Sequence, residues 1–144
     1  MKTINFITHP YPVLISFLFL LISGEHLGGF YIMYLLIGLP HAAIHSILGI
    51  FGVIILLLNK AWANSEWNDL IKPIINIGGA LLLIGSLFTF FYNDSVQYNV
   101  ATFYQLVPQL CLSVFILLFF SFFVKNIYIL LKAVKNNNGH KATA

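Results

Sequence analysis

Residues 102–124 read TFYQLVPQLCLSVFILLFFSFFV, and no acidic or basic side chain occurs in this run. A helix of about 20 apolar residues is long enough to cross the hydrocarbon core of a bilayer. Three more predominantly apolar stretches, 11–37, 40–60 and 73–92, precede it along the 144-residue chain. The sequence therefore predicts an all-α integral membrane protein built as a bundle of four transmembrane helices.

Composition supports this class of protein. Hydrophobic residues make up 60% of the chain and charged residues only 8%, with a mean hydropathy of +0.92, whereas soluble proteins contain about 25% charged residues. Four spans and their loops occupy the whole chain, so we expect a single transmembrane domain over 1–144 and no separate soluble domain. The one cysteine, Cys111, lies in the last span and has no partner for a disulfide within the chain.

The position of the first reversal of the chain is open between two segments. Segment 38–40, Gly-Leu-Pro, combines a residue that suits a helix end with one that suits the first turn of the next helix, which gives spans 11–37 and 40–60. The alternative is the glycine-containing segment Ser23–Gly29, which predicts a short first helix and a long second helix kinked at Pro40. We favour the first arrangement because its two spans have similar lengths.

Beyond the last span the sequence becomes periodic. Apolar residues recur at helical spacing between 127 and 134, and lysines lie between them. Such a pattern is typical of a helix on the membrane surface, and it predicts an interfacial amphipathic helix over 125–135. Residues 136–144, NNNGHKATA, have almost no apolar surface to bury, so we expect a flexible tail there.

All seven basic residues are lysines, and in a four-span arrangement they lie on one side of the membrane. The opposite side then contains the turns 38–40 and 93–101, which have no lysine. Because positively charged loops stay in the cytoplasm, we expect a multi-pass protein of the plasma (inner) membrane with both termini cytoplasmic. The absence of arginine argues against binding to nucleic acid.

Four ionisable side chains lie in or beside apolar sequence: Glu25, His26, His41 and His45. An ionisable group at the bilayer centre costs about 2.5–3.5 kcal/mol, so such residues usually have a function or a partner. His41 and His45 are four apart, the spacing at which two imidazoles on one helical face can share a metal ion, and Glu25 is a further candidate ligand. The three histidines are also the candidate ligands of a haem b. Whether the cofactor is a haem or a transition metal stays open.

These residues also have structural interpretations. His45 can hydrogen-bond to a neighbouring helix, and at the bilayer centre Glu25 would keep its proton. If the chain reverses at Gly38, His26 and His45 differ in depth by about 8 Å, which is unfavourable for two ligands of one iron.

Two small-residue patterns predict close helix packing. Gly24 and Gly28 frame the Glu-His pair with the spacing that lets two membrane helices approach. On the third span, Asn76, Gly79 and Ala80 form one face that suits contact with another helix.

The fourth span carries two amides near the surface that has no lysine. Gln105 and Gln109 are four apart, and we expect them to complete a polar pocket with His41, His45 and Asp94.

The sequence favours a non-catalytic subunit or accessory protein of a larger membrane complex, because so few residues lie outside the spans. The alternatives are a redox or metal-binding protein that uses His26, His41 and His45, for example in electron transport, and a small carrier or proton pathway that uses Glu25. The expected partners are the lipid bilayer and either other membrane subunits or a second copy. Segment 38–43, GLPHAA, resembles a segment of bacterial membrane carotene-cleaving oxygenases, and no residue role is transferred from it.

Overall fold

The computed structural model describes residues 9–23, 28–61, 70–92 and 94–141. These residues are mainly α-helical, with one short pair of antiparallel strands near the start of the chain. The helices are α1 (Pro10–Leu18), α2 (Tyr31–Gly38), α3 (Ile44–Ala61), α4 (Ile71–Tyr92) and α5 (Leu106–Lys141). The strands are β1 (Leu21–Ser23) and β2 (Gly28–Phe30), and 3₁₀ segments cover Leu39–His41 and Asp94–Phe103.

Two helices are long and apolar enough to cross a membrane, namely α4 and the part of α5 from Leu106 to Asn136. The bent pair Tyr31–His41 and Ile44–Asn59 meets the same criterion when it is taken as one unit, although its two parts form an angle of 115°. By length and composition, the described residues therefore provide two or three crossings, and the expected bundle of four full spans is not seen.

The expected continuous helix over 11–37 is wrong, because β1 and β2 interrupt it. Leu21 pairs with Phe30, and Ser23 pairs with Gly28, so the chain reverses between Ser23 and Gly28. This is the segment that the sequence offered as the alternative reversal. Glycine weakens a helix by about 1 kcal/mol relative to alanine, and two consecutive glycines at Gly28 and Gly29 favour the extended hairpin.

The expected start of the second helix at residue 40 is also wrong. Pro40 lies in a 3₁₀ turn, Ala42 takes a left-handed conformation with φ 52°, and α3 begins only at Ile44. A Cβ at Gly38, at the end of α2, would overlap the hydroxyl oxygen of Ser46, so a larger residue there would have to displace the Ser46 side chain. The chain thus turns sharply between α2 and α3 where a proline-started helix was expected.

The pairing of α3 with α4 confirms the small-residue face on the third span. Gly79 and Ala80 are buried, and a Cβ at Gly79 would lie 2.8 Å from Cγ of Leu56 on α3. From the other helix, a Cβ at Gly52 would lie 3.1 Å from the carbonyl oxygen of Gly79. The two backbones therefore approach as closely as glycine allows.

Three asparagines join α3, α4 and α5. Asn59 donates to the side-chain oxygen of Asn76 at 2.7 Å, and Asn76 donates to that of Asn126 at 2.8 Å. Direct contact puts the three residues at one level of the helix bundle, close in sequence to Lys72 and Lys125. The start of α4 and the lysine-bearing part of α5 therefore lie at the same end of the molecule.

An aromatic core packs α1 and α2 against the longer helices. The ring of Phe17 lies 5.2 Å from that of Tyr31 and 5.7 Å from that of Phe115, and Tyr31 meets Phe90 edge-on at 5.1 Å. These four rings are almost completely buried. Edge-to-face pairs of this kind each add about 0.5–1.5 kcal/mol beyond the burial of their area.

Residues 125–135 are helical as expected, and their location on the membrane surface stays a prediction. The expected boundary between the span and this helix is absent, and the expected flexible tail is wrong for residues 136–141. The single helix α5 runs without a break from Leu106 to Lys141. No glycine or proline occurs between Gln109 and Asn138, so nothing in the sequence interrupts the helix where the lysines begin.

Neighbouring glycines on α4 give a matched test of the close contact. Gly79→Ala should destabilise the protein by about 1–3 kcal/mol, because its methyl group must displace Leu56. Gly78→Ala meets nothing within 4 Å and should be neutral or stabilising by up to about 1 kcal/mol. Unfolding in mixed micelles measures both values. Equal effects of the two substitutions would contradict the observed helix contact.

Candidate functional site

The two candidates that the structure describes, His41 and His45, do not lie on one helical face. His41 is exposed in the 3₁₀ turn, whereas His45 is partly buried in the first turn of α3. The left-handed residue Ala42 and the 115° bend separate them, so the premise that they share one helix is wrong. Glu25 and His26 lie outside the described residues, and the ligand roles of all four stay predictions.

Among the residues that the structure describes, no three or more His, Cys, Asp or Glu side chains come together as a metal site. The ionisable candidates therefore have to be considered one at a time, together with the polar groups that surround each of them.

A buried polar cluster surrounds the start of α3. We call it the Ser86 cluster, and its members are Tyr31, Tyr34, His45, Ser46 and Ser86. The hydroxyl of Ser86 donates to the backbone carbonyl of His45 at 2.6 Å and lies 2.9 Å from the hydroxyl of Tyr31. Because Ser86 has only one hydroxyl proton, Tyr31 must be the donor of the second bond. The result is a directed chain from Tyr31 through Ser86 to the backbone of α3.

The imidazole of His45 turns toward α2. It forms a hydrogen bond to the backbone carbonyl of Tyr34, and its ring meets the ring of Phe90 edge-on at 5.1 Å. The hydroxyl of Ser46 lies 3.4 Å from the same Tyr34 carbonyl. His45 therefore helps to hold α2 against α3, which agrees with the structural interpretation of this residue.

The Ser86 cluster depends on the absence of a Cβ at Gly49. A Cβ at Gly49 would lie 2.7 Å from both the hydroxyl oxygen of Ser86 and a methyl carbon of Leu35. Tyr31 and Ser86 are completely buried, and the sequence analysis identified neither of them. Ser86 could have been found from the sequence as a hydroxyl residue within the apolar run of α4, since polar groups in such spans usually bind a neighbouring helix.

The observed hydrogen bonds of Gln105 and Gln109 go to residues other than the histidines, and the expected pocket stays a prediction. The side-chain oxygen of Gln105 accepts a hydrogen bond from the hydroxyl of Ser23 at 2.6 Å, and Gln109 donates to the carbonyl of Phe103. Thr102 adds two bonds to the backbone of Ser23, at 2.9 and 3.2 Å. The hydrogen bonds of Ser23 with Thr102 and Gln105 connect the β-hairpin to the segment that precedes α5.

An open apolar groove of about 350 Å³ lies between α4 and α5. Phe88 and Tyr92 stack along one side with their ring centres 5.4 Å apart. Its lining residues are Ile84, Leu87, Phe88, Phe91, Tyr92, Phe103, Leu112, Phe115 and Ile116. Such a lining suits a hydrocarbon chain, and Tyr92 is its one titratable side chain.

The helices and their internal polar contacts define a small helical protein with the length and apolar character of a membrane protein. Comparison of this chain with protein-family models, with curated proteins and with solved structures finds no match. The function must therefore be inferred from the chain itself.

The directed chain through Ser86 predicts an order of stability losses. Ser86→Ala should destabilise the protein by about 1–3 kcal/mol, because it removes the hydrogen-bond acceptor of the Tyr31 hydroxyl and a donor to the His45 carbonyl. Tyr31→Phe should cost about 1 kcal/mol, since Ser86 keeps its bond to α3. Unfolding free energies in micelles test the order.

Ser16→Ala is the control for the hydroxyl deletion. The hydroxyl of Ser16 bonds to the carbonyl of Val13 on its own helix and, among the described residues, joins no second segment, so its removal should change stability by less than about 0.5 kcal/mol. A larger loss in Tyr31→Phe than in Ser86→Ala would contradict the assigned direction of the bonds.

Proposed function

We propose that this chain is an integral membrane protein that acts as a non-catalytic subunit or accessory protein of a larger membrane assembly. The observation that carries this proposal is the large exposed outer surface of α5. Only 22% of the most apolar 18-residue window of α5 is buried within the chain, compared with 33% for α4. A long helix with so little internal packing has a large surface left for other membrane helices.

The internal polar contacts support a structural role. Three sets of them, around Ser86, Asn76 and Thr102, join different segments of the chain by side-chain hydrogen bonds. In membranes such bonds contribute on average about 0.6 kcal/mol each, and they fix how the helices pack. The polar side chains in these sets are thus engaged in holding the fold.

We further propose that the lysine-bearing end faces the cytoplasm. The asparagine contact brings the start of α4, with Lys72, to the level of Lys125 on α5. Helix α5 continues beyond that level with Lys132 and Lys135. Positive charge of this kind favours the cytoplasmic side. The expected cytoplasmic N-terminus lies outside the described residues and stays a prediction.

Cysteine accessibility tests this orientation in a Cys111→Ala background. Tyr104 is 81% exposed at the end opposite the lysines, and Asn136 is exposed on the lysine-bearing part of α5. A membrane-impermeant maleimide added to intact cells should label Tyr104→Cys and spare Asn136→Cys until the cells are opened. Labelling of Asn136→Cys alone in intact cells would mean that the orientation is inverted.

Purification under mild conditions tests the assembly role. We expect native mass spectrometry of the chain, extracted in several mild detergents, to find it bound to another copy or to other membrane proteins at fixed stoichiometry. Cross-linking in the native membrane before extraction serves as the control for losses in detergent. A monomer in every detergent, together with no cross-linked product from the membrane, would contradict the proposal.

A further inference from the structure

The outer face of α5 repeats every seven residues. We call this face the α5 seam, and it consists of two series of residues. One series is Val107, Val114, Ser121 and Tyr128, and the other is Leu110, Leu117, Val124 and Leu131. The two series are three residues apart, which is the a and d pattern of a coiled coil continued over four heptads.

The α5 seam lies opposite the face that packs on the rest of the chain. Every apolar residue of the seam is more than half exposed, from Val114 at 52% to Leu117 at 68%. The packed face is formed by Phe115, Phe119 and Phe122, which are almost completely buried. A second helix can therefore dock on the seam without disturbing the fold.

The length of α5 decides what covers the α5 seam. Its 36 residues correspond to a rod of about 54 Å, whereas the hydrocarbon core is about 30 Å thick. A span of about 20 residues from Leu106 ends near Lys125. Tyr128 and Leu131 continue the seam beyond that level and are 66% and 64% exposed. The seam from Val107 to Leu131 is about 36 Å long, so an upright α5 places the last turn of the seam beyond the acyl chains, and a parallel helix can cover that turn as well.

We propose that the α5 seam binds the α5 seam of a second copy as a parallel two-stranded coiled coil. This inference rests on the proposed assembly role and names the partner. β-branched residues at a and leucine at d favour two strands, as at Val107 and Val114 with Leu110 and Leu117. Copies that insert in one orientation present α5 in parallel, so a twofold axis along the membrane normal makes the seam self-complementary.

Ser121 is the small member of the α5 seam, at an a position near the middle. Small residues at such positions let helix backbones approach closely in a membrane. Its hydroxyl donates to the carbonyl of Leu117 at 2.8 Å, so it enters the interface without an unsatisfied proton. Lys135 occupies the next a position and ends the apolar seam.

Disulfide formation in native membranes tests the proposal in a Cys111→Ala background. Leu117 and Ile116 are adjacent, so they lie at almost the same depth, but their side chains point about 100° apart around the helix. Oxidation should convert Leu117→Cys to a disulfide-linked dimer at least fivefold more completely than Ile116→Cys. Leu110→Cys and Val124→Cys should behave like Leu117→Cys. Equal cross-linking at residues 116 and 117 would indicate random collision and overturn the proposal.

A charge-reversal pair provides a second measurement outside the hydrocarbon core. Leu131 of one copy should meet Leu131 of the other, so Leu131→Glu should reduce cross-linking at Leu117→Cys severalfold through repulsion. Co-expression with Leu131→Lys should restore mixed dimers. No effect of Leu131→Glu would overturn the pairing of the seam. If no seam position cross-links while native mass spectrometry finds another protein bound, the second-copy proposal fails and the assembly role stands.

Discussion

The close approach of α3 and α4 is the contact on which the other elements depend. Gly52 and Gly79 leave so little space that added methyl groups would collide with leucine side chains across the contact. In a bilayer, water cannot drive apolar surfaces together, so association relies on tight packing and on hydrogen bonds between helices. The glycines allow the tight packing. By bringing the backbones together, they also put Asn59 beside Asn76 and the start of α3 beside Ser86.

Polar contacts of two different kinds join this helix pair to other helices, one kind at each end. At one end the asparagine side chains bind one another across three helices. At the other end, Tyr31 donates to Ser86, and Ser86 donates to the main-chain carbonyl of His45 at the start of α3. The bent arrangement of α2 and α3 makes this possible, because it brings the Tyr31 hydroxyl to α4. His45 thereby belongs to a structural network, and its carbonyl as well as its ring takes part.

The sequence was informative where a local pattern determines the structure. The apolar character of α4 and α5 and the contact face around Gly79 were predictable, because length and small residues act locally. The β-hairpin was less predictable, since its position depends on Thr102 and Gln105 far along the chain. Nothing local marks Ala42 as left-handed, because alanine is the strongest helix former. The Ser86 cluster was missed because its partners are a tyrosine distant in sequence and a main-chain carbonyl, which no side-chain motif records.

The β-hairpin also constrains how the protein is made. Ser23 binds Thr102, which is synthesised 79 positions later. Synthesis runs from the N-terminus, so the contacts of α3 with α4 become available while the hairpin still lacks its partner. The backbone of Ser23 therefore stays incompletely bonded until the segment that precedes α5 has been made. The hairpin thus gains its tertiary hydrogen bonds from a segment that is made 79 positions after it.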